Sequence, residues 1–121
     1  KVNYLIHTDA IRENLIPDQL SAQQVGFIYA SEADLLNVAL FGVTAKEWRD
    51  SNPALKGNIR DHANVHQLVC LANLESMNAH FIEQGMPQAA RLVKLNELAI
   101  RQMRVLVDKG LSPLPPTGEG D

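Results

Sequence analysis

NVHQLVCLANLESMNAHFIEQGMPQAARLVKLNELAIRQMRVLVDK, residues 64–109, decides the fold. In its first half Val65, Leu68, Val69, Leu71, Ala72, Ala79 and Ile82 recur at steps of three and four, and Leu74 and Phe81 widen the stripe. That period is helical. Asn64 stands where an N-cap belongs, and Gly85 ends the run. Pro87 then opens a second helix at a position where a missing N–H costs nothing. Up to about Lys109, Leu92, Val93, Leu95, Ala99, Ile100, Met103, Leu106 and Val107 form one broad face of it. Arg91, Lys94, Arg101 and Arg104 form the opposite face. Two long helices, about 64–84 and 87–109, joined by Gly85-Met86-Pro87, predict an antiparallel hairpin.

Upstream, shorter elements are punctuated by caps. Pro17 stops whatever precedes it. Ser21 with Gln24 has the spacing of a capping box. The following Val25-Gly26-Phe27-Ile28-Tyr29 reads equally as a helix turn or a short strand, because five residues carry too little periodicity to decide. Ser31 caps the next helix, with Glu32 and Asp34 in the first turn where the dipole favours negative charge. Gly42 ends that helix. Thr44 with Glu47 opens another through Trp48. Residues 53–61, polar and containing Gly57, read as a loop. The fold class is therefore all-α: a long-helix hairpin with shorter N-terminal helices packed across it.

Both ends read as boundaries. Val2, Leu5, Ile6, Ile11, Leu15 and Ile16 give 1–16 a helical spacing, yet no cap precedes it and residue 1 is Lys. A helix starting uncapped looks cut from a longer one. The expectation is one helical domain over 1–110, excised from a longer protein. Residues 111–121, with three prolines, two glycines and little to bury, read as a disordered tail.

Composition narrows the function classes. With 121 residues the chain has material for one domain. One Cys excludes an internal disulfide framework, and no apolar run approaches the ~20 residues of a membrane span. A net charge of −3 argues against coating nucleic acid by bulk electrostatics. These features suit a cytoplasmic protein with no membrane association.

Several strings are more particular. Asn3-Tyr4-Leu5-Ile6-His7-Thr8-Asp9-Ala10, Tyr29-Ala30-Ser31-Glu32-Ala33-Asp34, Ala39-Leu40-Phe41-Gly42 and Thr44-Ala45-Lys46-Glu47-Trp48-Arg49 come in this order. Lys56-Gly57-Asn58-Ile59-Arg60-Asp61 and Asn73-Leu74-Glu75-Ser76-Met77-Asn78-Ala79 follow. Together, over roughly 1–107, they resemble the C-terminal region of KilA-N domain proteins of phage and prophage. None is a catalytic signature; the likeness lies in the ensemble. In that family the KilA-N module precedes this region and is taken as the DNA-binding part. No such module is visible in the chain. The resemblance implies a DNA-associated parent protein of phage or prophage origin, acting in a bacterial cytoplasm.

Several constellations could touch a partner. A helix, a turn at Gly42 and a short helix over 36–52 have helix-turn-helix-like spacing. Lys46, Arg49, Lys56 and Arg60 could reach phosphates there, though the net charge of 44–61 is only +1, and Trp48 reads as an anchor onto the core. The last helix is more basic. Arg91, Lys94, Arg101 and Arg104 fall within roughly 140° of one another, and such a face is either a phosphate surface or an ordinary solvated one.

Glu75, set within the apolar stripe, is expected to be buried and paired with an Arg such as Arg60. Asn96, on the apolar face of the last helix, is expected to be buried and hydrogen-bonded, fixing register with a neighbour. His62, His66 and Cys70 have metal-like spacing. Asn64 breaks the helix between the two histidines, and His66 and His80 stand about 21 Å apart along a helix. No metal is expected. With no nucleotide loop or nucleophile triad, no enzyme, cofactor or small-molecule ligand is expected either. The expected role is a helical interaction or self-association module, forming a homo-oligomer or binding a protein partner, with DNA reached through the parent protein. Direct DNA binding by the 36–52 corner and the basic helix is the alternative.

Overall fold

The computed structural model describes residues 15–109. The expectations for 1–14 and 110–121 lie outside these residues. Five α-helices follow in order: α1 (Ala22–Gly26), α2 (Glu32–Phe41), α3 (Ala45–Ser51), α4 (Val65–Glu83) and α5 (Gln88–Lys109). A 3-10 turn, Ile59–His62, lies between α3 and α4. Among the described residues there is no strand, so the all-α reading holds.

Local chemistry sets each start. The Ser21, Thr44 and Asn64 side chains each accept from the backbone N–H three residues on, and Gln24, Glu47 and Gln67 each reach back to the cap's own N–H. Each reciprocal pair satisfies two donors that a helix start would otherwise strand. Ser31 caps α2 through Asp34 N. Gly42 closes α2 at φ +80°, a conformation costly for a residue with a Cβ.

The ambiguous 25–29 stretch is helical only as far as Gly26. The chain then extends, and the Gln88 side chain takes the place of a strand partner. Its Oε1 accepts from Tyr29 N at 2.8 Å, and its Nε2 donates to Tyr29 O at 2.9 Å. Residues 53–61 are not plain loop. Asn58 accepts from Arg60 N and Asp61 N, Asp61 returns a bond to Asn58 N, and Ile59 is buried by the resulting 3-10 turn. Leu15 and Ile16, the described end of the expected first helix, are not helical and pack against the core.

α4 and α5 form the antiparallel hairpin. α2, buried at every position from Leu35 to Leu40, lies along it. A helix buried on every side over 35–40 needs cover all round, and the groove between two long helices supplies most of it. Leu35, Leu74, Leu92, Leu95, Ala99 and Met103 are wholly buried at the centre. A satellite cluster of Trp48, Leu55 and Ile59 joins this core through Phe41.

The stripe predicted for α4 is corrected by the structure. Its buried side carries Gln67, Cys70, Leu71, Leu74, Asn78 and Phe81. Val65, Leu68, Val69 and Ile82 are exposed, as are Ala72 and Ala79. α4 is apolar on two sides, and only one faces α2 and α5. Hydropathy alone weighted the wrong one.

Candidate functional site

At the 36–52 corner, α3 is seven residues long, about 10 Å. Three of the four basic groups in and after it are engaged within the chain. Lys46 Nζ pairs with Asp50 at 2.8 Å. Arg49 donates to Leu55 O at 3.2 Å and lies over the Trp48 ring. Arg60 Nε donates to Asn37 Oδ1, and its Nη1 to Glu75 Oε2 at 3.2 Å. The Lys56 side chain is exposed and unpaired among the described residues. Trp48 anchors α3, with 4% of its surface exposed. The corner is held as a structural unit more than it is presented as a cationic surface.

Glu75 has the partner expected of it but not the burial. Its side chain is 50% exposed, and the Arg60 bridge runs over the surface of α4. The carboxylate falls on the flank of the helix, between its buried and outward sides.

The basic face of α5 loses one member. Lys94, Arg101 and Arg104 are exposed and make no ion pair among the described residues. Arg91 is buried instead. Its guanidinium grips the Glu32 carboxylate, donates to Asn78 Oδ1 at 2.8 Å and, through Nε, to Met86 O at 3.0 Å. Asn78 also donates to Glu32 at 2.8 Å. The first turn of α5, the C-terminal half of α4 and the start of α2 are thus tied together at the hairpin tip. The hydrogen bond from Arg91 holds the Glu32 carboxyl below its ordinary value. Arg91 is therefore withdrawn from the candidate phosphate contacts. Its position on the wheel is as expected, but the long side chain folds under the tip toward an acid 59 residues away.

Asn96 is buried and fully used. Its Nδ2 donates to Asp18 O and Ala39 O, and its Oδ1 accepts from Leu20 N. One side chain pins the 18–20 segment and the end of α2 onto α5. This is a clasp between a helix and irregular chain; it involves more than the register of a neighbouring helix.

Cys70 is buried, and desolvation pushes its thiol up to about 11. His62 Nε2 contacts Lys56 O at 2.8 Å, and the ring stacks obliquely on Trp48. Among the described residues no group of three His, Cys, Asp or Glu side chains is arranged to hold a metal ion. A cleft of about 520 Å³ lies between residues 17–21 and α3, with Phe41, Val43 and Trp48 on its wall. Glu75 does not line it.

Two surface features escaped the sequence reading. Phe27 and Ile28 project from the loop between α1 and α2, 60% and 83% exposed, next to Tyr29, whose backbone is hydrogen-bonded to Gln88. The second is the outward side of α4, apolar along much of its length. Repeated apolar residues in a single sequence carry no label for which of them remain uncovered. No family model, curated protein or solved structure matches the chain. No helix among the described residues is long and apolar enough to cross a membrane.

Proposed function

We propose that this chain is a non-enzymatic helical interaction module, standing on the C-terminal side of a phage-derived DNA-binding protein of the KilA-N type. Its work is self-association or the capture of a protein partner in the bacterial cytoplasm, and the parent protein supplies the DNA contact. The observation that carries the reading is the outward side of α4. Val65, Leu68 and Val69 are 57%, 43% and 36% exposed there, and Ala72 lies beside them. Nothing among the described residues covers them. A contiguous apolar face of this kind on a chain with an otherwise well-filled core marks an interaction surface. The resemblance of its sequence strings to those of KilA-N proteins supports the DNA-associated setting.

Static light scattering against concentration tests the reading. A mass that rises above that of one chain, and falls back in Leu68→Asp, supports it. A strictly monomeric profile with no response to Leu68→Asp counts against it.

Direct DNA binding is a second reading, favoured by one observation: Lys94, Arg101 and Arg104 are exposed cations that make no ion pair among the described residues. Gel shifts at two salt concentrations decide it. Phosphate contacts must weaken steeply with salt, so the absence of any salt-sensitive shift removes this reading.

A further inference from the structure

The hairpin has a side turned away from α2, and its composition identifies an occupant. Asn73 and Gln102, hydrogen-bonded at 3.1 Å, mark the seam where α4 and α5 meet. Asn78, bonded to Glu32, and Asn96, bonded to Ala39 O, mark the side facing α2. At 100° per residue, Val69 lies about 40° from Asn73 and about 180° from Asn78. Val105 lies about 60° from Gln102 and about 180° from Asn96. Both valines therefore sit on the side of the hairpin that no other described element covers, 36% and 51% exposed. Val65 and Ala72 share the arc on α4, and half-buried Leu98 shares it on α5.

Charge is divided between the two helices. α4 carries Glu75 and Glu83 and no Lys or Arg, whereas the arc of α5 around Leu98 and Val105 carries Lys94 and Arg101, with the exposed acids Glu97 and Asp108 on its flank. Glu83 falls on the same arc of α4 as Val65, and Lys94 on the same arc of α5 as Leu98. With Asn73 level with Gln102 in an antiparallel pair, Glu83 is level with Leu92. It then lies only about 3 Å along the axis from Lys94.

We propose that this face binds a second copy of the chain, related by a two-fold axis parallel to the hairpin, so that α4 of one copy packs antiparallel on α5 of the other. The inference rests on the self-association reading above and gives it a geometry. A rotation about that axis keeps every residue at its own height. Glu83 therefore meets the second copy's Lys94, twice over, Val69 and Ala72 lie within about 3 Å in height of the second copy's Val105, and Ser76, which shares their arc, is level with its Leu98. Packing α4 on α4 would set acid against acid, and α5 on α5 base against base. Only the crossed pairing matches charge and apolar area together. It makes a four-helix bundle in which every neighbour is antiparallel. Two helices about 28 Å long, set about 10 Å apart, offer roughly 550 Å² of face per chain. That is close to the lower limit of about 1,200 Å² in total for a specific interface. The dimer is accordingly weak and concentration-dependent.

The test is sedimentation equilibrium on the full chain, from about 10 μM to 1 mM, for wild type, Glu83→Lys, Lys94→Glu and the combined variant. Both side chains are exposed, so far-UV circular dichroism should stay unchanged. Each single reversal creates two like-charge contacts and should weaken the dimer roughly tenfold at low salt. The combined variant restores opposite pairs and should return to within about twofold of wild type. Self-association without mutual rescue overturns the arrangement while leaving the self-association reading intact. A wild-type chain that stays monomeric throughout overturns both.

Discussion

Replacing Arg91 by Ala separates the structural account from the helical-wheel reading most sharply. On the wheel Arg91 is one of four solvated cations, and its loss should cost almost nothing. In the structure it is 8% exposed and makes bonds to three residues. Truncation strands Asn78 Oδ1, on a side chain 4% exposed, and frees Met86 O. An unsatisfied buried acceptor costs about 1–3 kcal/mol, and the lower half of that range suits groups that water can partly reach at the hairpin tip. Glu32 is 45% exposed at its side chain, so solvent screens most of the lost ion pair and it adds under about 1 kcal/mol. The expected sum is about 3 kcal/mol, a large fraction of the ~5–15 kcal/mol typical of a domain. Urea unfolding, followed by far-UV circular dichroism and by Trp48 fluorescence, measures it. Arg101→Ala is the control and should stay within about 0.5 kcal/mol of wild type. A cost below about 1 kcal/mol for Arg91→Ala, or equal costs for the two variants, refutes the buried-clamp reasoning.

Three further outcomes follow from the same packing. Asn96→Leu should lose about 2–4 kcal/mol, because Leu20 N, Asp18 O and Ala39 O all lose their partner, and hydrogen exchange at the Leu20 amide should accelerate well beyond the global change. Glu32, whose carboxyl is held below its ordinary value of 4.5, contributes stability that is present above that value and lost as pH falls through the lower folded one. Acid titrations of stability should show this loss in wild type and a shallower slope in Arg91→Ala. Cys70, buried with its thiol pushed up to about 11, should resist a thiol reagent in the native chain at neutral pH and react at once in urea.

What the sequence disclosed was mostly local. Ser21–Gln24 and Thr44–Glu47 act over three residues, so their spacing alone places two helix starts, and Asn64 as an N-cap places a third, while the return bond from Gln67 is visible only in the structure. The hairpin was legible because Gly85-Met86-Pro87 interrupts two long periodic runs. The orientation of α4 was not legible. With Val65, Leu68 and Val69 on one side and Leu71, Leu74 and Phe81 on the other, the helix is apolar twice over, and only the placement of α2 says which side is core. The burial of Arg91 is hidden from the sequence for a related reason. Its wheel position matches Lys94 and Arg101, but its partner Glu32 lies 59 residues away. Asn96 was recognised as buried because an amide on an apolar face demands partners, though nothing in the pattern named Asp18, Leu20 and Ala39. The Arg60 partner of Glu75 is legible in the sequence but its exposure is not, since the apolar stripe around it is the uncovered one.

The central question is whether the side of the α4–α5 hairpin left uncovered by the described residues meets another chain. Amide chemical shifts, recorded while the full chain is diluted from about 1 mM to 10 μM, read that face directly. The predicted result is a concentration-dependent shift confined to the arc of Val65, Val69, Ala72 and Glu83 on α4 and of Lys94, Leu98 and Val105 on α5, with α2 and the Trp48 corner unmoved. Shifts gathered instead on α3 and the 53–61 segment, or no shifts at all across that range, would contradict it.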